Sequence, residues 1–381
     1  MTSPRRGGSG LGQRRLVIPW RLSQACPGGE PQSPEYLQTS LAAAMTLGLR
    51  PGRFYRDVRL SCINLLLSYP EGCRANCTFC GLARCRPGEA ADKSFIRVEW
   101  PLLPTEVLLE AIACRRKGLS RVCLSMVTHP SAYGDTVGLS RRIATLDLPL
   151  SALITPTLIP QGGLQELRAV GVERIGVGLD AASPRVFLRT KGQGAGGPHT
   201  WERYWEVMLA GRDLFGPWTV SCHIIVGIGE TDRELMELFA CLKEERILAH
   251  LFSFYPEPGS AMGQRRRPSL VRWRRVQLAK YLLETGQIGL GDLGYDAQGR
   301  LCHIEASPQA IDRAIDSGLP FLTGGCPGKD GEPTCTRPFG SYRPGRPFRD
   351  FPFLPTPEDL ARVRSKLRLG RLAPSRSLAA R

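Results

Sequence analysis

The sequence predicts an α/β fold: a partial (β/α)6 TIM-like barrel with an N-terminal arm and a Cys/Gly/Pro-rich C-terminal extension. Three observations predict it. Short runs rich in Val, Ile, Leu and aromatics alternate with stretches of helical period between residues 60 and 255. Such alternation needs crossover connections, which give a parallel sheet. Composition shifts at both ends, to Gly, Pro and Arg before residue 50 and to Pro, Gly and Cys after residue 301.

Residues 1–58 read as a mobile arm and a short helix, Pro34 to Leu49. Residues 59–300 hold the barrel. Its expected strands are Leu60–Tyr69, Arg121–Thr128, Pro149–Thr155, Glu173–Asp180, Trp218–Val226 and Leu248–Tyr255. The helical patterns between them are Pro104–Lys117, Thr136–Leu146, Gly162–Val170, Ser183–Arg189, Thr200–Phe215 and Thr231–Arg246. A basic helix, Ser269–Thr285, follows. Residues 301–381 form the extension, and the tail beyond Pro374 has the composition of a disordered segment. A parallel barrel carries its chemistry on loops at the C-terminal strand ends, so reactive residues are expected there.

No apolar run approaches the ~20 residues a bilayer span requires. The basic N-terminus lacks an apolar stretch behind it, so no secretory signal is read and a cytoplasmic location is expected. The net charge of +16 is carried mostly by arginine, with a cluster at Arg265–Arg267, Arg272, Arg274 and Arg275. It fits either a solvated surface or an acidic partner. No aromatic residues alternate with these charges, so nucleic acid is not the expected partner. Thirteen cysteines, an odd number without an export signal, argue for metal rather than a disulfide framework.

The sharpest motif is Cys73-Arg-Ala-Asn-Cys77-Thr-Phe-Cys80, a C-x3-C-x2-C directly after the first strand. Three thiolates on one short loop suit three irons of a [4Fe–4S] cluster and leave the fourth iron open, since such clusters otherwise take four cysteines. A zinc knuckle is the alternative, with Cys85 as fourth ligand.

With the strand before it and Phe79 inside it, this loop resembles the radical SAM superfamily over residues 60–255. The resemblance implies that the open iron chelates S-adenosylmethionine (SAM) and that the reduced cluster cleaves it to a 5′-deoxyadenosyl radical. It places Phe79 beside the cluster, Ser125 and Thr128 at the methionyl amino group, Asp180 of Gly178-Leu-Asp180 at the ribose, and Val226 and Gly227 at the adenine. Asp180 also reads as a helix N-cap.

A second [4Fe–4S] cluster is expected from Cys302, Cys326 and Cys335, set among Gly and Pro near the C-terminus. Cys62 is a candidate fourth ligand, with His303, Cys26 or a serine as others. Biotin synthase carries an inner cluster whose second-strand cysteine falls on Cys123. Its third-strand cysteine has no counterpart here, and its fifth-strand cysteine falls on Ser221, beside Cys222. A one-residue shift turns a strand side chain to the other face. Cys123 and Cys222 are therefore expected to be core thiols, as are Cys114 and Cys241.

Cys62-Ile-Asn-Leu-Leu-Leu, Cys80-Gly-Leu-Ala-Arg84, Gly197-Pro-His-Thr-Trp-Glu-Arg-Tyr-Trp205 and Gly325-Cys326-Pro with Arg337-Pro-Phe resemble the two-protein lipoyl synthases. That resemblance implies sulfur insertion into a protein-bound octanoyl chain, the second cluster being the sulfur donor. It implies an acidic, octanoylated lipoyl carrier as partner, a second radical SAM protein, and a ferredoxin or flavodoxin as electron donor. The basic helix at Arg272–Arg275 is the expected docking surface for the carrier. His199 reads as a helix-start residue, and His129 lies at the active face with no partner identified. Other readings remain: a biotin synthase-like enzyme, a radical SAM methyltransferase or RNA-modifying enzyme, and a non-catalytic iron–sulfur carrier.

Overall fold

The chain enters the sheet at β1 (Tyr36–Thr39), and helix α1 (Leu41–Thr46) follows at once. The expected helix over Pro34–Leu49 is thus a strand and a shorter helix. The cause is local: Ser40 supplies the N-cap, its hydroxyl accepting from Ala43 N. The residues before it pair antiparallel with β2 (Cys62–Leu67), and the Thr39 hydroxyl donates to Asn64 O at 2.8 Å. On its other edge β1 pairs antiparallel with β3 (Leu102–Pro104). The computed structural model describes residues 30–58, 60–88, 98–335 and 348–367. Cys26, the arm before residue 30, Arg337-Pro-Phe and the tail beyond Pro374 lie outside them.

The next strands are β4 (Arg121–Ser125), β5 (Leu150–Ile154), β6 (Val172–Asp180), β7 (Val220–Val226) and β8 (Leu248–Ser253). Each is parallel to its neighbour, and the sheet order is β3-β1-β2-β4-β5-β6-β7-β8. The six parallel strands are the six expected. The fold is a partial TIM-like barrel with a mostly parallel sheet.

Between the strands run α2 (Thr105–Arg115), α3 (Ala132–Ala144), α4 (Gly163–Ala169), α5 (Pro184–Thr190), α6 (Trp201–Phe215) and α7 (Asp232–Glu244). Their starts follow cap chemistry. Thr200 accepts from Arg203 N, and Thr231 with Glu234 forms a reciprocal capping box. Strand periodicity then divides the core. Ile63, Leu65, Val122, Leu124, Val177 and Ile224 are fully buried on the helix-facing side. Asn64, Leu66, Cys123, Ser125, Gly176, Gly178, Ser221 and His223 line an inner chamber.

After β8 come α8 (Leu270–Glu284), the hairpin β9 (Leu293–Tyr295) and β10 (Leu301–Ile304), α9 (Pro308–Ser317) and α10 (Pro357–Leu367). Helix α8 is not the solvated basic face expected for docking. Arg272 pairs with Glu230 and Asp232, each at 2.7 Å. Arg274 is 3% exposed and donates to Phe348 O and Arg349 O, both at 2.7 Å. Arg275 donates to Leu367 O. Arg272 thus ties α8 to the loop after β7, while Arg274 and Arg275 bind the extension, since a long, multiply donating side chain can satisfy several carbonyls at once. Among the described residues no helix is long and apolar enough to cross a membrane.

Candidate functional site

The loop after β2 turns at Gly72, whose φ of 71° suits glycine, and its amide bonds Tyr69 O. The segment after β4, the end of α5 and the turn that follows it then fix the loop. Arg74 N donates to Thr128 O at 2.7 Å, Thr78 N to Thr190 O at 2.8 Å, and Asn76 Nδ2 to Ala195 O at 2.8 Å. Amides reach two of the sulfurs: Thr128 N lies 3.4 Å from Cys73 Sγ and Leu82 N 3.4 Å from Cys80 Sγ. All three thiols line the chamber, together with Phe79, Ser125 and Thr128. Burial pushes Cys77 up to about 12, against the pull of Lys191, and pushes Cys80 up too. Such thiols stay protonated until a cation replaces the proton.

Asp180 also faces the chamber, but it caps no helix: Ser183 occupies that position of α5. Its backbone is left-handed, φ 66°, at a bulge against β7. Such strain in a non-glycine residue is commonest at functional positions. Its Oδ2 lies 2.6 Å from Lys191 Nζ, which also donates to Gly178 O. A Cβ at residue 178 would lie 3.3 Å from the Asp180 carboxylate. Glycine therefore leaves room for the ion pair.

Val226 and Gly227 do not line the chamber, unlike the other residues matched to SAM. Gly227 N, Ile228 N and Gly229 N all donate to the Glu230 carboxylate, so this loop is satisfied internally.

His199 does more than start a helix. It lines the chamber, contacts Thr157 Oγ1 at 2.8 Å and stands edge-on to Tyr204. Burial, then Lys191, lowers it to about 3, so it is neutral. His129 stacks on Tyr69 at 3.8 Å and approaches Glu71 at 3.5 Å; burial lowers its pKa.

A second thiol group lies at the opposite, N-terminal strand ends. Cys62 opens β2, Cys123 lies on β4, and Cys326 and Cys335 come from the extension. Hydrogen bonding to Cys335, then burial, raises the Cys62 thiol, with Cys123 and Cys326 also acting on it. Burial raises Cys123, and Cys335 and Cys326 add to it. Asn64 Nδ2 lies 4.0 Å from both Cys62 Sγ and Cys335 Sγ. Arg121 ties the group together, donating to Pro327 O at 2.6 Å and Ser151 Oγ at 3.0 Å.

This corrects the expected set twice. Cys302 is exposed on β10, where its thiol faces Gly294 O, away from the group. Cys123, expected to be a core thiol, faces the chamber. Cys114 is exposed rather than in the core, whereas Cys222 is buried. Gly-x-Cys326 and Thr-Cys335 gave no spacing to β4, so Cys123 could be found only through the strand register that sets Cys123 beside Asn64.

The chamber joining the two groups has a volume of about 270 Å³. Its lining includes the apolar side chains of Leu66, Met126, Leu153, Ile225 and Phe252 and two imidazoles, His223 and His250. Sequence reasoning missed these histidines and Lys191. Register was again the needed signal, since His223 and His250 are cross-strand partners. Among the described residues no three His, Cys, Asp or Glu side chains converge on one ion. A cubane asks each thiolate to reach a different iron, and the three thiols of this loop open on one chamber that can hold it.

Residues 67–242 match the family model of the Radical SAM superfamily. No curated protein matches the chain. Among solved structures it is similar to the FeFe-hydrogenase maturase HydG of Carboxydothermus hydrogenoformans, at 14% identity and TM-score 0.43 over 78% of this chain and 75% of that one. It is similar to Streptococcus suis SuiB bound to the precursor peptide SuiA, at 14% identity and TM-score 0.42 over 58% of this chain. It is also similar to the methyltransferase TsrM of Kitasatospora setae, at 15% identity and TM-score 0.37, over 73% of this chain and 49% of that one. The chain spans less than half of SuiB, 46% of its length.

Proposed function

With a radical SAM domain over residues 67–242 as the premise, we propose that the chain inserts sulfur into an apolar, protein-bound acyl chain of the octanoyl type. Cys73, Cys77 and Cys80 are the ligands of the SAM-binding [4Fe–4S] cluster. Cys62, Cys123, Cys326 and Cys335 hold a second [4Fe–4S] cluster. When bound, the first cluster and SAM supply a 5′-deoxyadenosyl radical able to take hydrogen from an unactivated carbon, and the second supplies sulfide.

The chain's own residues do the positioning. Ser125, Thr128 and Asp180 offer polar contacts at the upper end of the chamber. Leu66, Met126, Leu153, Ile225 and Phe252 hold an alkyl chain and keep water from the radical. The observation that carries the reading is one chamber lined by thiols of both groups and by apolar side chains. A carbon seated against these side chains shares one chamber with both thiol groups, as a two-step insertion requires.

The partners that follow are an acidic, octanoylated carrier, a second radical SAM protein and a ferredoxin or flavodoxin donor. The location is cytoplasmic. In domain terms, residues 59–300 supply the barrel and residues 301–381 supply two thiols of the second site. The test is anaerobic incubation of reconstituted protein with SAM, dithionite and an octanoylated carrier peptide. The reading predicts 5′-deoxyadenosine together with a peptide that has gained sulfur. 5′-Deoxyadenosine without sulfur gain would leave radical chemistry of another class; neither product would refute both.

A further inference from the structure

A lysine at the upper end of the chamber has no part in the reading above. Lys191 follows α5, and its side chain is 9% exposed. Among the described residues lining the chamber it is the one lysine or arginine. Its ammonium is fixed on all sides: Asp180 Oδ2 lies at 2.6 Å, Gly178 O accepts from it, and the Tyr204 ring lies beneath it at 4.8 Å. Burial pulls its pKa down, but Asp180 and Tyr204 more than offset this, so the side chain stays charged.

Backbone geometry sets this charge against the cysteine loop. Thr78 N, next to Cys77, donates at 2.8 Å to the carbonyl of Thr190, next to Lys191. The Thr78 hydroxyl reaches the same carbonyl at 3.3 Å. The glycine-rich turn after Lys191 braces the loop again through Asn76 to Ala195 O and Arg84 to Gly196 O. Lys191 lines the same chamber as the Cys73, Cys77 and Cys80 thiols.

We propose that Lys191 is a positioning residue that sets the reduction potential of the cluster on Cys73, Cys77 and Cys80. The inference rests on the reading that these cysteines hold a cubane. A cubane with three thiolates is a monoanion, and one electron from the donor makes it a dianion. In a site shielded from water, a fixed cation nearby stabilises the more negative state. Lys191 therefore makes the electron easier to accept, while Asp180 partly opposes it.

The test is an EPR-monitored redox titration of the reconstituted full chain without SAM, with dithionite as reductant and iron counted in each sample. Lys191→Met is expected to move the midpoint potential to more negative values. Lys191→Arg, which keeps the charge, is expected to stay near wild type. Asp180→Asn is expected to shift it the other way, and it keeps the inference testable should Lys191→Met fail to fold. Unchanged potentials in both charge-altering variants, or shifts of the same sign, would overturn the inference while leaving the cluster in place. A wild type that binds no EPR-active cluster would instead overturn the reading beneath it.

Discussion

The two thiol groups differ in how the chain builds them. Cys73, Cys77 and Cys80 lie within eight residues on one loop, fastened by backbone hydrogen bonds to Thr128 and Thr190. Cys62, Cys123, Cys326 and Cys335 come from two strands and a distant extension, and meet because parallel register and Arg121 bring them together. A local site depends on its loop. A dispersed site depends on the whole fold being correctly closed.

The largest expected effect separates the groups functionally. Replacing Cys77 and Cys80 by Ala is expected to remove SAM cleavage, lowering 5′-deoxyadenosine formation to background by chromatography, as loss of the cofactor that does the chemistry implies. Replacing Cys326 and Cys335 by Ala leaves uncoupled SAM cleavage and abolishes sulfur gain in the peptide. Equal loss in both variants would erase the distinction.

Next in size is acid stability at the upper end. His199 is held near 3 against an ordinary value of 6.5. The unfolded chain binds this proton more readily, so stability is lost as pH falls from 6.5 toward 3. Urea midpoints at pH 7 and pH 5 should diverge in the wild type and diverge less in His199→Gln. The same divergence in both proteins would show that other groups carry the acid sensitivity.

A further effect tests the dispersed site. Arg121→Met removes charge-assisted hydrogen bonds to Pro327 O and Ser151 Oγ, which costs about 1.5–3 kcal/mol each where they are buried. Thermal melting should fall, and iron should be lost from the lower group before the upper. Cys302→Ser should change neither iron content nor stability beyond about 0.5 kcal/mol.

The same contrast explains what the sequence disclosed. The six parallel strands were legible because each is a short β-branched or aliphatic run between turn residues. The cysteine loop was legible because its ligands share one loop. Cys123 was not, since pairing it with Cys326 depends on strand register and on where the extension folds back. β1 was missed because Tyr36–Thr39 offers only four residues before the Ser40 cap. The arginines of α8 looked like a surface because composition does not say that Phe348, Arg349 and Leu367 bring carbonyls to them.

Iron and sulfide counted per chain after anaerobic reconstitution test the two-site account most directly. About eight irons are expected in the wild type and about four when either thiol group is replaced by alanine, since each [4Fe–4S] cluster carries four. A wild type with about four irons, all lost with Cys73, Cys77 and Cys80 and none with Cys62, Cys123, Cys326 and Cys335, would contradict it.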